Sequence, residues 1–150
     1  MRTVLFLRIA SVLTFIHAAL HTIGGVFGEA APGAQQAAVT AMQINQFQVM
    51  GVTRTFWDFY MGLGLAGSVS MTVEAVVFWQ LGSLAKTDAL RLRPILATFL
   101  IGFLGVAVVS YRYFFVAPVI TEILIALCLG LAIVAAKQRA GAEVERRAVA

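Results

Sequence analysis

The chain has 150 residues, of which 61% are hydrophobic and 12% are charged, and its formal net charge is +4 at pH 7. A soluble domain of this size cannot bury so much apolar surface, whereas a lipid bilayer solvates that surface directly. The 11 Lys and Arg residues are scattered without a platform of stacking aromatic residues, which argues against a nucleic-acid partner. The single cysteine, Cys128, excludes an internal disulfide. The composition therefore predicts an integral membrane protein surrounded by the lipid bilayer.

Four apolar stretches are each long enough to cross the hydrocarbon, which takes roughly 20 helical residues. The first stretch follows N-terminal charges as in a signal peptide, but at about 20 residues it exceeds the usual cleaved segment, so we interpret it as a spanning helix. We predict an all-α protein, a single four-span domain over residues 1–150 that folds as an integral membrane four-helix bundle. The predicted spans cover about 4–27, 55–81, 94–115 and 118–136.

The connections between the predicted spans differ in composition. The outer loop, residues 29–53, is polar and contains no Lys or Arg, and its alanines and methionines favour a short helix on the membrane surface. Residues 82–93 are predicted to form a basic loop, and Pro94 suits the first turn of the third helix. Residues 137–150 form a charged tail, which is expected to be frayed or helical in water.

The distribution of cations predicts the orientation, because Lys and Arg are retained on the cytoplasmic side of a membrane. In a four-span arrangement, Arg54 and Arg112 fall on one side and the other nine cations fall on the opposite side. The N-terminus and the C-terminus are therefore both predicted to be cytoplasmic. The nine cations are Arg2, Arg8, Lys86, Arg91, Arg93, Lys137, Arg139, Arg146 and Arg147.

Small and polar residues form a stripe along the first predicted helix. Its spacing of three and four residues places them on one face, which is expected to point into the bundle. Glycines in the second and third helices are expected to let neighbouring helices approach closely. The stripe comprises Ala10, Thr14, His17, His21, Gly24 and Gly28, and the glycines are Gly62, Gly64, Gly67, Gly102 and Gly105.

Polar residues of all four predicted helices fall at a similar depth, in the outer half of the bundle. A helix rises about 1.5 Å per residue, which puts His17 near mid-membrane and His21 about 6 Å further out. Ionisable groups are costly inside a bilayer, so each needs a partner or a function. The candidate ligand-binding residues are His17, His21, Trp57, Asp58, Tyr60, Tyr111, Arg112 and Glu122.

We favour a structural interpretation of this cluster, in which Asp58 and Glu122 form ion pairs with Arg112 and Arg54. Buried ions persist in proteins only when they are paired and hydrogen-bonded. A second interpretation, compatible with the first, is a binding cavity open to the outer face and walled by aromatic rings. The alternatives stay open at this point.

A third interpretation is catalysis or metal binding. His17 and His21 lie four residues apart, a spacing that lets two imidazoles chelate one transition metal. The spacing has low specificity, because the glutamate of the H-E-x-x-H motif is missing. No cofactor is firmly implied, although a metal or a quinone is compatible with these residues. In the absence of a specific catalytic motif, we favour a protein that is not an enzyme.

Several short motifs resemble those of DoxX-like small bacterial membrane proteins. RIASV from Arg8 and HTIGG from His21 look like the first helix of these proteins, whereas FWDFYMGLGL from Phe56 and YRYFF from Tyr111 resemble motifs of an uncharacterised four-span branch near that group. The resemblance implies a four-helix fold in the bacterial inner membrane and an association with membrane oxidoreductase systems, including quinone-linked ones. It implies no catalytic residue.

The sequence lacks a recognisable soluble domain, a nucleotide-binding loop and a thiol pair. We therefore expect an accessory or small-ligand-binding subunit that works with other membrane subunits or with further copies of itself. One alternative is a subunit of an oxidoreductase acting on a quinone or another lipophilic substrate, with His17, His21 and Asp58 at its site. A second alternative is a small proton-coupled transporter.

Overall fold

The structure is a computed structural model that describes the backbone of residues 2–149 and the side chains of residues 2–138. The structure is about 85% helical, and four helices among the described residues are long and apolar enough to cross a membrane. The predicted all-α class and the four candidate spans are therefore confirmed. Insertion in a membrane and the cytoplasmic orientation of the termini stay predictions.

The backbone contacts divide the chain into two compact units. The first unit comprises Met1–His17 and Thr72–Ala150, and the second unit comprises Ala18–Met71. The single four-span domain stays a prediction. The elements, in chain order, are α1 (Arg2–Leu20), a π-helical turn (His21–Val26), α2 (Ala34–Ile44), β1 (Gln46–Val49), β2 (Val52–Thr55), α3 (Phe56–Asp88), a 3-10 turn (Leu90–Leu92), α4 (Arg93–Tyr113) and α5 (Val116–Val149).

One predicted helix end was wrong, and the charged tail takes the helical one of its two expected states. Helix α3 continues to Asp88, so most of the predicted basic loop 82–93 is helical. Asp88 ends the helix by accepting a hydrogen bond from the backbone N–H of Arg91 and by pairing with its guanidinium at 2.9 Å. Helix α5 continues beyond residue 136 to Val149. Charged residues indicated where the apolar span stops, but Lys, Glu and Arg are good helix formers and do not stop the helix itself.

The first unit has a buried core to which segments of α1, α3, α4 and α5 all contribute. Phe78 is completely buried at its centre, with its ring 5.0 Å from that of Phe99 and 5.9 Å from that of Phe103. The predicted stripe on α1 faces inward here, since Ala10 and Thr14 are both buried. Alanines supply much of the remaining core, and they allow the helices to approach closely.

The second unit contains a β-hairpin that the sequence analysis did not predict. Strands β1 and β2 are antiparallel, and Val49 pairs with Val52 across the turn. Met50 and Gly51 both have positive φ, 48° and 83°, as a two-residue type I′ turn requires. Phe47 on β1 packs against the first turn of α3, with its ring 4.9 Å from that of Phe56. The short helix expected in this loop is confirmed as α2.

Candidate ligand-binding site

The π-helical turn after α1 sets the position of the candidate site in the second unit. Its wider winding is visible in the bond from the Phe27 backbone N–H to the carbonyl of Thr22, five residues earlier. Two consecutive glycines, Gly24 and Gly25, lie in this turn, so it carries no side chain at these two positions. Single π-helical turns occur frequently at functional sites.

His21 is the first residue of this turn and is held by a backbone carbonyl of α3. Its Nε2 lies 3.0 Å from the carbonyl oxygen of Gly64. Because a carbonyl can only accept, Nε2 carries the proton and a neutral imidazole keeps an unprotonated Nδ1. The ring lies close to the backbone of α3, since a Cβ added to Gly67 would be 3.3 Å from Nε2. Gly67 of α3 therefore makes room for the imidazole.

The second ring nitrogen of His21 is available to a ligand. No residue among 2–138 forms a hydrogen bond with Nδ1, and this atom is not one of the fully buried atoms that lack a partner. It faces the backbone of Gly25, where an added Cβ would be 3.5 Å away. A histidine fixed through one nitrogen presents the other as a hydrogen-bond acceptor, a base or a metal ligand.

Hydroxyl groups support the same contact between the π-helical turn and α3. Thr22 Oγ1 lies 2.8 Å from Ser68 Oγ and 2.7 Å from the carbonyl of Ala18. Ser68 in turn donates a hydrogen bond to the carbonyl oxygen of Gly64, which also accepts the hydrogen bond from His21 Nε2. The sequence analysis missed Thr22 and Ser68. Thr22 could have been found because it directly follows His21, and Ser68 because it lies one helical turn after Gly64.

Two aromatic residues of α3 contact the π-helical turn or each other. The hydroxyl of Tyr60 donates to the carbonyl of Gly25 at 3.2 Å, and the ring of Trp57 stacks on that of Tyr60 with centroids 5.2 Å apart. Tyr60 and His21 therefore meet at Gly25. In the second unit, the structure brings together three of the residues predicted to bind a ligand.

Asp58, a further candidate, has a clear structural role. Its carboxylate accepts a hydrogen bond from the backbone N–H of Thr55, and the Thr55 hydroxyl accepts one from the backbone N–H of Asp58. This reciprocal pair is a capping box at the start of α3. Arg54 is also exposed, and its guanidinium donates to the carbonyl of Thr53. Whether Arg54 and Asp58 take part in the predicted ion pairs stays untested.

The other candidates lie in the first unit. Glu122 is only 3% exposed, and its Oε1 accepts a hydrogen bond from Ser110 Oγ at 2.8 Å. Its Oε2 is buried and has no hydrogen-bond partner among residues 2–138. Tyr111 and Arg112 are exposed near the end of α4, whereas His17 is partly buried on α1. The predicted convergence of these residues at one depth stays a prediction.

The described residues contain no group of three or more His, Cys, Asp or Glu side chains able to hold a metal ion. A two-histidine site at His17 and His21 stays a prediction. Comparison with known protein families, characterised proteins and solved structures finds no match for this chain.

We expect alanine substitutions of the α3 glycines to lower the free energy of unfolding where a neighbour lies close, and to be tolerated where the position is open. In Gly64→Ala, the new Cβ would lie 2.9 Å from Val26 Cγ2, and in Gly67→Ala it would press on the His21 ring. Each should lower the free energy of unfolding by about 1–3 kcal/mol. Gly62→Ala is the matched control, because its Cβ meets nothing within 4 Å. It should be neutral or gain up to about 1 kcal/mol from helix propensity.

Thermal unfolding in a mild detergent measures these differences. Equal melting temperatures for the three alanine variants would contradict the close approach of α3 to the π-helical turn.

Proposed function

We propose that this multi-pass protein of the bacterial inner membrane binds a lipophilic small molecule at His21 and acts as a ligand-binding or accessory subunit of a membrane assembly. The observation that carries the proposal is the geometry of His21, whose Nε2 is fixed by Gly64 and whose Nδ1 is left for a ligand. Buried or interfacial polar groups are normally satisfied within the protein, so an accessible acceptor beside aromatic rings favours a bound molecule.

The chemistry of the site favours a quinol. Neutral Nδ1 accepts a hydrogen bond, which the hydroxyl of a quinol donates and which an oxidised quinone lacks. The rings of Trp57 and Tyr60 offer apolar faces suited to a flat aromatic ligand. The likeness of the sequence motifs to DoxX-like proteins, some of which belong to quinone-linked systems, agrees with this choice. A quinol bound here would exchange electrons with a partner subunit, in keeping with an accessory role.

Binding of a short-chain ubiquinol and of the matching ubiquinone tests the proposal directly. Isothermal titration of the purified protein in nanodiscs should show tighter binding of the quinol than of the quinone. In His21→Ala, the quinol affinity should fall about tenfold, because a hydrogen bond of roughly 1.4 kcal/mol is lost. Ile23→Ala is the matched control, since Ile23 belongs to the same turn and is exposed.

Two results would refute this function. One is equal affinity of the wild-type protein and His21→Ala for the quinol. The other is a preference for the quinone, which would require a donor rather than an acceptor at Nδ1.

A second function, proton-coupled transport, is favoured by one specific observation. Glu122 is a buried carboxyl group whose Oε2 has no partner among the described residues. Carboxyl groups of this kind inside membrane segments are typical of proton pathways. Ser110 holds the group by one oxygen and leaves the other to bind a proton.

This alternative predicts proton movement in liposomes that contain the protein and an enclosed pH-sensitive dye. After a pH jump, Glu122→Gln should lose the protein-dependent flux, whereas Glu29→Gln, at an exposed position outside the helices, should retain it. A flux that survives in Glu122→Gln would remove the transport hypothesis.

A further inference from the structure

In the first unit, the side chain of Arg8 packs on the surface of α3. Its guanidinium carbon lies 3.5 Å from the centroid of the Trp79 ring, and its Nη2 donates to Ser83 Oγ at 2.9 Å. Gly82 lies beside this arrangement, since an added Cβ would be in ordinary van der Waals contact with Arg8 Nε at 3.4 Å. From the sequence, Arg8 was an indicator of orientation and the first residue of the RIASV motif.

The direction of the side chain follows from the antiparallel packing of the two helices. Ser11 donates a hydrogen bond to the carbonyl of Ala75, and Arg8 donates one to Ser83. Residues earlier in α1 therefore lie beside residues later in α3. Side chains on a helix tilt towards its N-terminus. The Arg8 guanidinium therefore points to the end of the helix pair where α1 begins and α3 ends.

This site has more hydrogen-bond donors than acceptors. A guanidinium has five N–H groups, and the structure gives a hydrogen-bond acceptor to only one of its nitrogens within residues 2–138. Nη1 is buried without a partner in the same residues. Ser83 Oγ accepts from Arg8, and its own hydroxyl proton has no acceptor there. A guanidinium cation and a neighbouring hydroxyl whose protons lack an acceptor are suited to an anion such as phosphate.

We propose that Arg8 and Ser83, with Trp79 beneath them, bind the phosphate group of an anionic phospholipid. Arg8 lies six residues after Arg2, roughly 9 Å deeper along the helix axis, which corresponds to the headgroup boundary. Tryptophan is enriched at this boundary. Leu5 and Ile9, which flank Arg8 on α1, are exposed and apolar. These residues suit acyl chains and favour a lipid over a soluble phosphate compound.

Trp79 makes the test specific. In a Trp57→Phe background it is the one remaining tryptophan of the chain. The full-length protein is placed in phosphatidylcholine nanodiscs with increasing phosphatidylglycerol, and the emission of Trp79 is recorded. We expect phosphatidylglycerol to change the emission, with an apparent affinity that falls about tenfold in Arg8→Gln and in Ser83→Ala. Arg2→Gln, an exposed arginine of the same helix, is the matched control and should respond as the parent does.

The serine variant keeps the test decisive if Arg8→Gln fails to fold, because it leaves the stacking on Trp79 in place. An unchanged phosphatidylglycerol response in Ser83→Ala or Arg8→Gln would overturn the proposal. So would a full response to glycerol 3-phosphate in pure phosphatidylcholine nanodiscs, since that result would assign the site to a soluble phosphate compound.

Discussion

A polar group without a partner is costly in an apolar environment, and hydrogen bonds to backbone carbonyls of α3 hold α1 and the π-helical turn against it. In the first unit, the Ser11 hydroxyl donates to the carbonyl of Ala75 at 2.7 Å. In the second unit, His21 bonds the carbonyl of Gly64. Both are contacts from a side chain, of α1 in the first case and of the π-helical turn in the second, to the backbone of α3, and small residues such as Gly64 permit the close approach.

The features that follow from hydropathy and periodicity could be predicted from the sequence. The four apolar runs predicted four long helices, and the spacing of Ala10 and Thr14 predicted the face of α1 that is buried. Among the glycines, Gly64 and Gly67 mark close approaches as predicted, whereas an added Cβ at Gly102 meets nothing within 4 Å. Composition indicates that small residues belong in helix contacts, but only the actual rotation of each helix decides which of them face a neighbour.

Other features depend on local geometry that hydropathy does not encode. The π-helical turn shifts every following side chain relative to α-helical spacing, so the spacing that placed Gly24 on the stripe of α1 does not hold there. The hairpin depends on the positive φ angles of Met50 and Gly51, and Met is an unusual residue there. The Thr-x-x-Asp pattern at the start of α3 is the sequence signal for the capping role of Asp58, which the predicted ion pairs did not include.

The candidate ligand site rests on one assignment, the proton on Nε2 of His21 and the lone pair on Nδ1. Nitrogen-15 NMR of histidine-labelled protein in nanodiscs measures this directly, with His17→Gln used to identify the His21 signals. We predict a protonated Nε2 and an unprotonated Nδ1 in the free protein, and a change confined to Nδ1 when a short-chain ubiquinol is added. A proton on Nδ1 with a bare Nε2, or spectra that the quinol leaves unchanged, would contradict the account.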